Sequence, residues 1–274
     1  MKLRNSFAVI VACMAACLIS SNARAQSAFA GFYGQISTGY ESNQLGGESD
    51  TATVTPYAQS NTNNTGPSQI FGGAPLILGI GYYWQASDKW LIGLGADYSA
   101  LKQTSSSIPV TASNASGSTS IAPGQSLTYN GISMQLSNRF NLFITPGYAI
   151  DKDKLVYVKA GYSQVTAQYN RATSLTRTTN GVSTTNTGTG FGGNVSSSQG
   201  GYLLGIGYKQ VITKGLYGFV EGNYMGYNAP SYAISTTNTT DTSRGVTTAS
   251  TRTINTSFSS LSTFQALIGL GYAF

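Results

Sequence analysis

Five ionisable residues lie on one parity of five consecutive alternating segments: Asp97, Arg139, Lys159, Lys209 and Glu221. Each stands on the face that carries glycine and small polar groups, opposite a face of large apolar residues. Two carboxylates and three cations turned toward one interior have two uses. They can pair, because a desolvated charge is costly without a partner, or they can line a narrow ion path. The expected arrangement is an internal salt-bridge network in which the two acids serve the three bases; the ion path is the competing reading. Acid–base catalysis is a poor fit. The chain has no histidine, which removes the commonest general base and metal ligand. Of its nine acidic residues, Glu48, Asp50, Asp88, Asp151, Asp153 and Asp241 fall in turns or polar tracts. No pair has a spacing that suggests glycosidase or metal chemistry. The expectation is therefore no enzyme, no catalytic residue, no metal and no cofactor.

The elements that carry these residues read as strands. Eight runs show period-two alternation, the strand signal: residues 31–42, about 72–86, 89–101, about 134–149, about 154–168, about 201–212, about 216–227 and about 259–274. The third sets Trp90, Ile92, Leu94, Ala96 and Tyr98 against Gly93, Gly95, Asp97 and Ser99. The fourth sets Leu136, Phe140, Leu142 and Ile144 against Gln135, Ser137, Arg139 and Asn141. The first puts Tyr33, Gln35, Ser37 and Glu41 opposite Phe32, Ile36 and Tyr40. In the seventh, Gly218 and Gly222 dilute the apolar face, so its pattern is the weakest. A soluble sandwich, the alternative fold, would carry many Lys and Glu on the outer face; here the second face is small and suits a narrow interior.

Connections alternate between short and long. Residues 87–89, 150–154 and 213–215 are tight turns, while 43–71, 102–133, 169–200 and 228–258 are Ser/Thr/Asn/Gly-rich stretches of about 30 residues, unusually long for a compact domain. Such polar tracts are expected to bury no core. Charged residues make up only 9% of the chain, against about 25% in a typical soluble domain. No segment after the N-terminal region has the 18 or more continuous apolar residues of a membrane-spanning helix. The other backbone that satisfies itself in a bilayer is a ring of strands. Short turns on one side and long loops on the other match the layout of outer-membrane barrels.

Residues 1–25 read as a secretory signal peptide: Lys2 and Arg4, an apolar run from Phe7 to about Ile19, then Ala23-Arg24-Ala25 as the cleavage site. Alternatives are a membrane anchor, for which the run is short, and lipoprotein processing before Cys17. Removal takes both cysteines, Cys13 and Cys17, and three of the 15 basic residues, so formal charge falls from +6 to 12 − 9 = +3. That charge is too weak and dispersed for nucleic acid. The mature domain is expected to be 26–274.

The segments "GFYGQISTGYES", "WLIGLGADYSA", "NRFNLFITPGYAIDKDKLVYVKAGYS", "GYLLGIGYKQVITKGLYGFVEGNY" and terminal "GLGYAF" resemble the small eight-stranded outer membrane β-barrels, the group of the OmpA transmembrane domain and the opacity-type surface proteins. The resemblance spans nearly all of 30–274 outside the loops. It implies an all-β, eight-stranded antiparallel up-and-down barrel in the outer membrane of a Gram-negative bacterium, with three periplasmic turns and four extracellular loops. Barrel enzymes of that membrane generally rely on histidine, which this chain lacks. An eight-stranded barrel has an interior that side chains roughly fill, which favours pairing over an ion path. Trp84, Trp90, Tyr148 and Tyr208 near the turns are expected interfacial aromatics. Ile268, Leu270, Tyr272 and Phe274 form the terminal every-second-residue pattern that, in that family, the outer-membrane assembly machinery reads. The implied partners are the lipid bilayer and lipopolysaccharide, that machinery, and host or cell-surface ligands met by the loops. The implied function is an envelope-stabilising, surface-displaying barrel with an adhesin-like role; the alternative is a narrow channel or small-molecule transporter.

Overall fold

The computed structural model describes residues 27–55, 59–113, 125–187, 193–241 and 248–274; the signal peptide expected over 1–25 lies outside them. Every regular element among these residues is a strand. In chain order they are β1 (Gly31–Leu45), β2 (Glu48–Thr55), β3 (Gln59–Gly66), β4 (Gln69–Gly73), β5 (Ile77–Gln85), β6 (Trp90–Ser99), β7 (Gln103–Thr104), β8 (Ile108–Ser113), β9 (Gln125–Asp151), β10 (Lys154–Asn170), β11 (Ser174–Thr179), β12 (Val182–Asn186), β13 (Asn194–Thr213), β14 (Leu216–Tyr227), β15 (Ser231–Asp241), β16 (Thr248–Phe258) and β17 (Leu261–Ala273).

Eight of them form a ring. Antiparallel pairing runs β1–β5–β6–β9–β10–β13–β14–β17 and returns from β17 to β1. First and last strands meet along thirteen residue pairs, from Tyr33 opposite Ala273 to Leu45 opposite Leu261. Each of the eight expected runs is one ring strand. Tight turns join β5 to β6, β9 to β10 and β13 to β14. In the last, Gly215 takes a φ of 79°, a conformation glycine adopts at little cost.

Large apolar side chains face outward around the ring: Ile80 is 68% exposed, Ile206 67%, Ile268 62% and Val158 51%. So much apolar surface, unbroken by charge, marks a surface that meets something other than water.

The long connections depart from the expectation. They are not structureless: β2–β4, β7 and β8, β11 and β12, and β15 and β16 lie within them. Strands β2, β3, β15 and β16 form their own four-stranded sheet, and β8 and β11 flank an extension of β9. Their abundant Thr favours extended backbone, and ring strands already fixed in place offer edges on which pairing continues. These extensions also bury a core, formed by Leu45, Phe71, Val110, Met134, Leu136, Val165, Tyr169, Tyr232 and Phe258 among others. Tracts dominated by polar letters bury it because their few apolar residues converge from separate connections.

Leu136 is a second correction. The alternating pattern puts it outside with Phe140, yet it is 2% exposed and faces inward. Asn138 has a φ of 51°, and the pairing of β10 with β9 shifts register between Gln164 and Thr166. This bulge inserts one residue and reverses the parity of β9, so Met134 and Leu136 share the interior with Arg139 and Asn141.

Two glycines make contrasting predictions. A Cβ at Gly161 would run into the Leu142 carbonyl oxygen and the Phe143 backbone, whereas at Gly222 its nearest contact would be 4.0 Å away. Gly161→Ala should therefore cost about 1–3 kcal/mol, and Gly222→Ala should stay within about 0.5 kcal/mol of the parent. Urea unfolding of both variants in detergent micelles checks this.

Candidate functional site: the filled bore

Along β10 the inward residues run Leu155, Tyr157, Lys159, Ser163, Val165, Ala167 and Tyr169, and they step through the layers of the interior. At the turn end lies an aromatic layer of Phe29, Tyr33, Tyr83, Tyr157, Tyr217 and Phe219, with Leu91 and Leu155. Phe29 comes from the residues before β1. It is 2% exposed and meets Tyr217 edge-on at 5.8 Å. Lys209 projects into this layer. Its ammonium lies 4.3 Å from the ring centroid of Tyr33, 4.8 Å from Tyr217, 4.9 Å from Tyr83, 5.3 Å from Tyr157 and 5.9 Å from Phe219. Cations are attracted to ring faces within about 6 Å.

The next layer centres on Lys159, which is 2% exposed. Its ammonium donates to Asp97 Oδ2 at 2.8 Å and to Glu221 Oε1 at 2.9 Å, and sits 3.9 Å from the Phe143 ring. Both carboxylates have further donors. Asn141 donates to Asp97 Oδ1 at 2.6 Å, Tyr157 to Glu221 Oε2 at 2.6 Å, and Asn223 to Glu221 Oε1 at 2.7 Å.

Toward the loop end, Arg139 forms the third layer. One guanidinium nitrogen pairs with Glu41. The others donate to Tyr227 at 3.0 Å, Asn43 at 3.1 Å and Thr263 at 3.2 Å. Glu41 also accepts from Gln265 at 2.8 Å and Asn43 at 3.0 Å. Beyond it the apolar core built around Leu136, Val165 and Tyr169 fills the bore.

All five residues singled out from the sequence thus face the interior, but their partners differ from those expected. Asp97 and Glu221 both serve Lys159. Arg139 takes Glu41, which shares the inward parity of Tyr33 and Gln35 and stands outside the set of five. Lys209 has no carboxylate within salt-bridge distance among the described residues; aromatic rings take that place. Counting Glu41, these three layers hold three acids and three bases among the described residues, a formal sum of zero. Among the described residues no three His, Cys, Asp or Glu side chains group as a metal site would require.

The outward aromatics flank the turns. Trp90 and Tyr148 meet edge-on at 5.3 Å, and Trp84 packs on Tyr82 at 4.8 Å. Tyr208 donates to Gln210 at 2.6 Å. Ile268, Leu270 and Tyr272 point outward from β17. Phe274 follows the strand, 81% exposed, with its N–H donating to the Phe32 carbonyl at 2.9 Å and its ring 5.1 Å from Tyr272.

Removing one member of a buried ion pair leaves an uncompensated charge, at about 3–5 kcal/mol. Arg139→Ala strands Glu41, and Lys159→Ala strands two carboxylates, so Lys159→Ala should lower the unfolding midpoint further. The triple change Lys159→Met, Asp97→Asn, Glu221→Gln should recover much of the loss. Denaturant titration of the three proteins decides the order.

No protein-family model matches the chain, and no curated protein does. Solved structures similar to it include Ail, the attachment invasion locus protein of Yersinia pestis, in complex with the heparin analogue sucrose octasulfate, at 11% identity and a TM-score of 0.31 over 86% of this chain and 99% of that one. The outer membrane protease OmpT of Escherichia coli matches at 10% identity and 0.42, over 91% and 98%. The outer membrane protein OprG of Pseudomonas aeruginosa matches at 13% and 0.44, over 89% and 96%. Overlays this loose transfer no property of those proteins to this chain.

Proposed function

We propose that this protein is an integral outer-membrane barrel with a sealed bore. Its role is to stabilise the envelope and to display the extended loop-end sheets, with surface contact in the adhesin-like sense as its interaction. The observation that carries this reading is the continuous filling of the interior: an aromatic layer around Lys209, two ion-pair layers, then an apolar core. An ion path needs a continuous wet lumen, and no layer built by the described residues supplies one. The outward apolar band supports placement in a bilayer, with the turns periplasmic and the longer strand extensions outside. The outer membrane suits a barrel of this size. Lipid and lipopolysaccharide are then the neighbours of the outward face, and Trp84, Trp90, Tyr148 and Tyr208 sit where a bilayer interface would lie. We assign the exposed Ile268, Leu270, Tyr272 and Phe274 to recognition by the assembly machinery. The absence of histidine and the structural use of the buried acids favour a non-enzymatic role.

The purified protein in detergent should migrate differently unheated and boiled, and should give no steady conductance in planar bilayers. A reproducible large conductance would overturn the sealed-bore reading in favour of a channel. Deleting Phe274 should reduce assembly in cells while leaving the unfolding midpoint of refolded protein nearly unchanged. Equal assembly of the truncated and full chains would leave Phe274 as a lipid contact only.

A further inference from the structure

The four-stranded sheet of β15, β16, β2 and β3 is joined to the ring at its seam, and its edge strands continue through residues 67–68 to β4 and through residues 228–230 to β14. β1 ends at Leu45 and β2 begins at Glu48; β16 ends at Phe258 and β17 begins at Leu261. Between them stand Gly46-Gly47 on one strand and Ser259-Ser260 on the other. Among the described residues, two backbone hydrogen bonds span this break, Gly46 N–H to Ser260 O at 2.9 Å and Ser259 N–H to Gly47 O at 3.1 Å. Past the break the sheet does not continue straight. It crosses the bore to β10, which stands four strands round the ring from β1 and three from β17.

The landing point is Tyr169 on β10, 5% exposed. Its ring stacks on Tyr232 of β15 at 5.7 Å and lies 6.0 Å from Phe258 of β16. Its hydroxyl donates to Glu48 Oε1 at 2.9 Å. Tyr232 donates to the Ala167 carbonyl of β10 at 2.9 Å. Glu48 is 2% exposed, and its Oε2 has no hydrogen-bond partner among the described residues. That oxygen faces Gly66, beside Val110.

We propose that this sheet is a lid hinged at Gly46-Gly47 and Ser259-Ser260, held across the loop end of the bore by a proton-dependent latch between Glu48 and Tyr169. A neutral carboxyl keeps the Tyr169 bond through Oε1 and carries its proton on Oε2 in apolar surroundings. An ionised one leaves a bare anionic oxygen there, which is costly. Among the described residues, the groups facing Glu48 do not relieve that cost. Asp50, next on the same face of β2, accepts from Thr256 at 2.6 Å and adds like charge. β3 and β8 carry no ionisable residue. On β16 the register places Arg252 opposite Val54, well along the strand from Glu48. Asp241 of β15 lies opposite Thr248, at the far end of the lid, and Arg171 follows the end of β10. Glu41 and Arg139 pair with each other one layer deeper.

Burial, and then the charge of Asp50, push the Glu48 carboxyl from 4.5 up to about 7, against the opposing pull of the Tyr169 hydrogen bond. The closed lid therefore holds its proton more tightly than the open one. Closure is fully favoured below about pH 4.5, weakens as pH rises toward 7, and is weakest above it. The latch operates whether or not the bore conducts.

Hydrogen–deuterium exchange of the full protein in micelles from pH 5 to pH 8, corrected for intrinsic rates, reads lid opening at the amides of 48–50 and 256–258. Protection there should fall roughly 70-fold between those limits, while barrel amides such as Lys159 and Tyr208 stay unchanged. Glu48→Gln should hold high, pH-independent protection, and Asp50→Asn should shift the transition to lower pH. Flat protection in the parent, or a Glu48→Gln curve that follows the parent, would overturn the latch. If Glu48→Gln does not fold, a carboxyl carbon-13 titration of parent Glu48 still decides: a midpoint near 7 supports the latch and one near 4.5 refutes it.

Discussion

A lysine buried in a narrow ring of strands must be matched where it stands, because a packed bore cannot rehydrate it. Lys159 shows how this chain meets that constraint. Its ammonium draws on Asp97 of β6 and Glu221 of β14, so one cation ties together three strands spread around the ring. The acids are themselves held by Asn141, Tyr157 and Asn223. These links fix where the interior side chains point, and the glycines facing them let the rings and carboxylates fit. The same constraint explains why the three charged and aromatic layers sum to zero formal charge, and why Lys209, with no carboxylate at contact distance among the described residues, lies among five aromatic rings.

The two faces of each strand answer different solvents. The outward face needs only apolar bulk and tolerates imprecision: Gly218 and Gly222 leave room there for a methyl group. Inward positions tolerate little. At Gly161 even one added carbon meets backbone. A barrel of this diameter therefore concentrates its steric and electrostatic specification inside.

Much of the ring was legible because period-two alternation is a direct projection of strand geometry. All eight ring strands and the inward placement of Asp97, Arg139, Lys159, Lys209 and Glu221 follow from it. Pairing did not follow, since parity says which side a charge faces and not how far along the bore it sits. Glu41 shares the parity of Tyr33 and Gln35, so the third acid was within reach of the same reading. The parity of Leu136 was out of reach because a bulge at Asn138 reverses the pattern with no strong local signal; asparagine merely tolerates the conformation. The loop-end sheets were hidden for another reason. Their core gathers single apolar residues such as Phe71, Val110, Tyr232 and Phe258 from separate polar tracts, and no window of sequence contains two of those tracts at once.

The placement of the lid on the seam orders the events of folding. β2 extends from the first strand of the ring and β16 leads into the last, so the sheet they share cannot pair until the two ends of the domain have found each other. Glu48 and Phe258 lie side by side across a sequence separation that spans nearly the whole barrel, and closing such a separation is the slow, entropically expensive part of assembling a β-structure. Tyr169 supplies the final surface from the opposite wall. A seated lid is thus a record that the ring is complete: partial barrels, with β1 and β17 still apart, have no sheet to lower and leave their apolar interior uncovered.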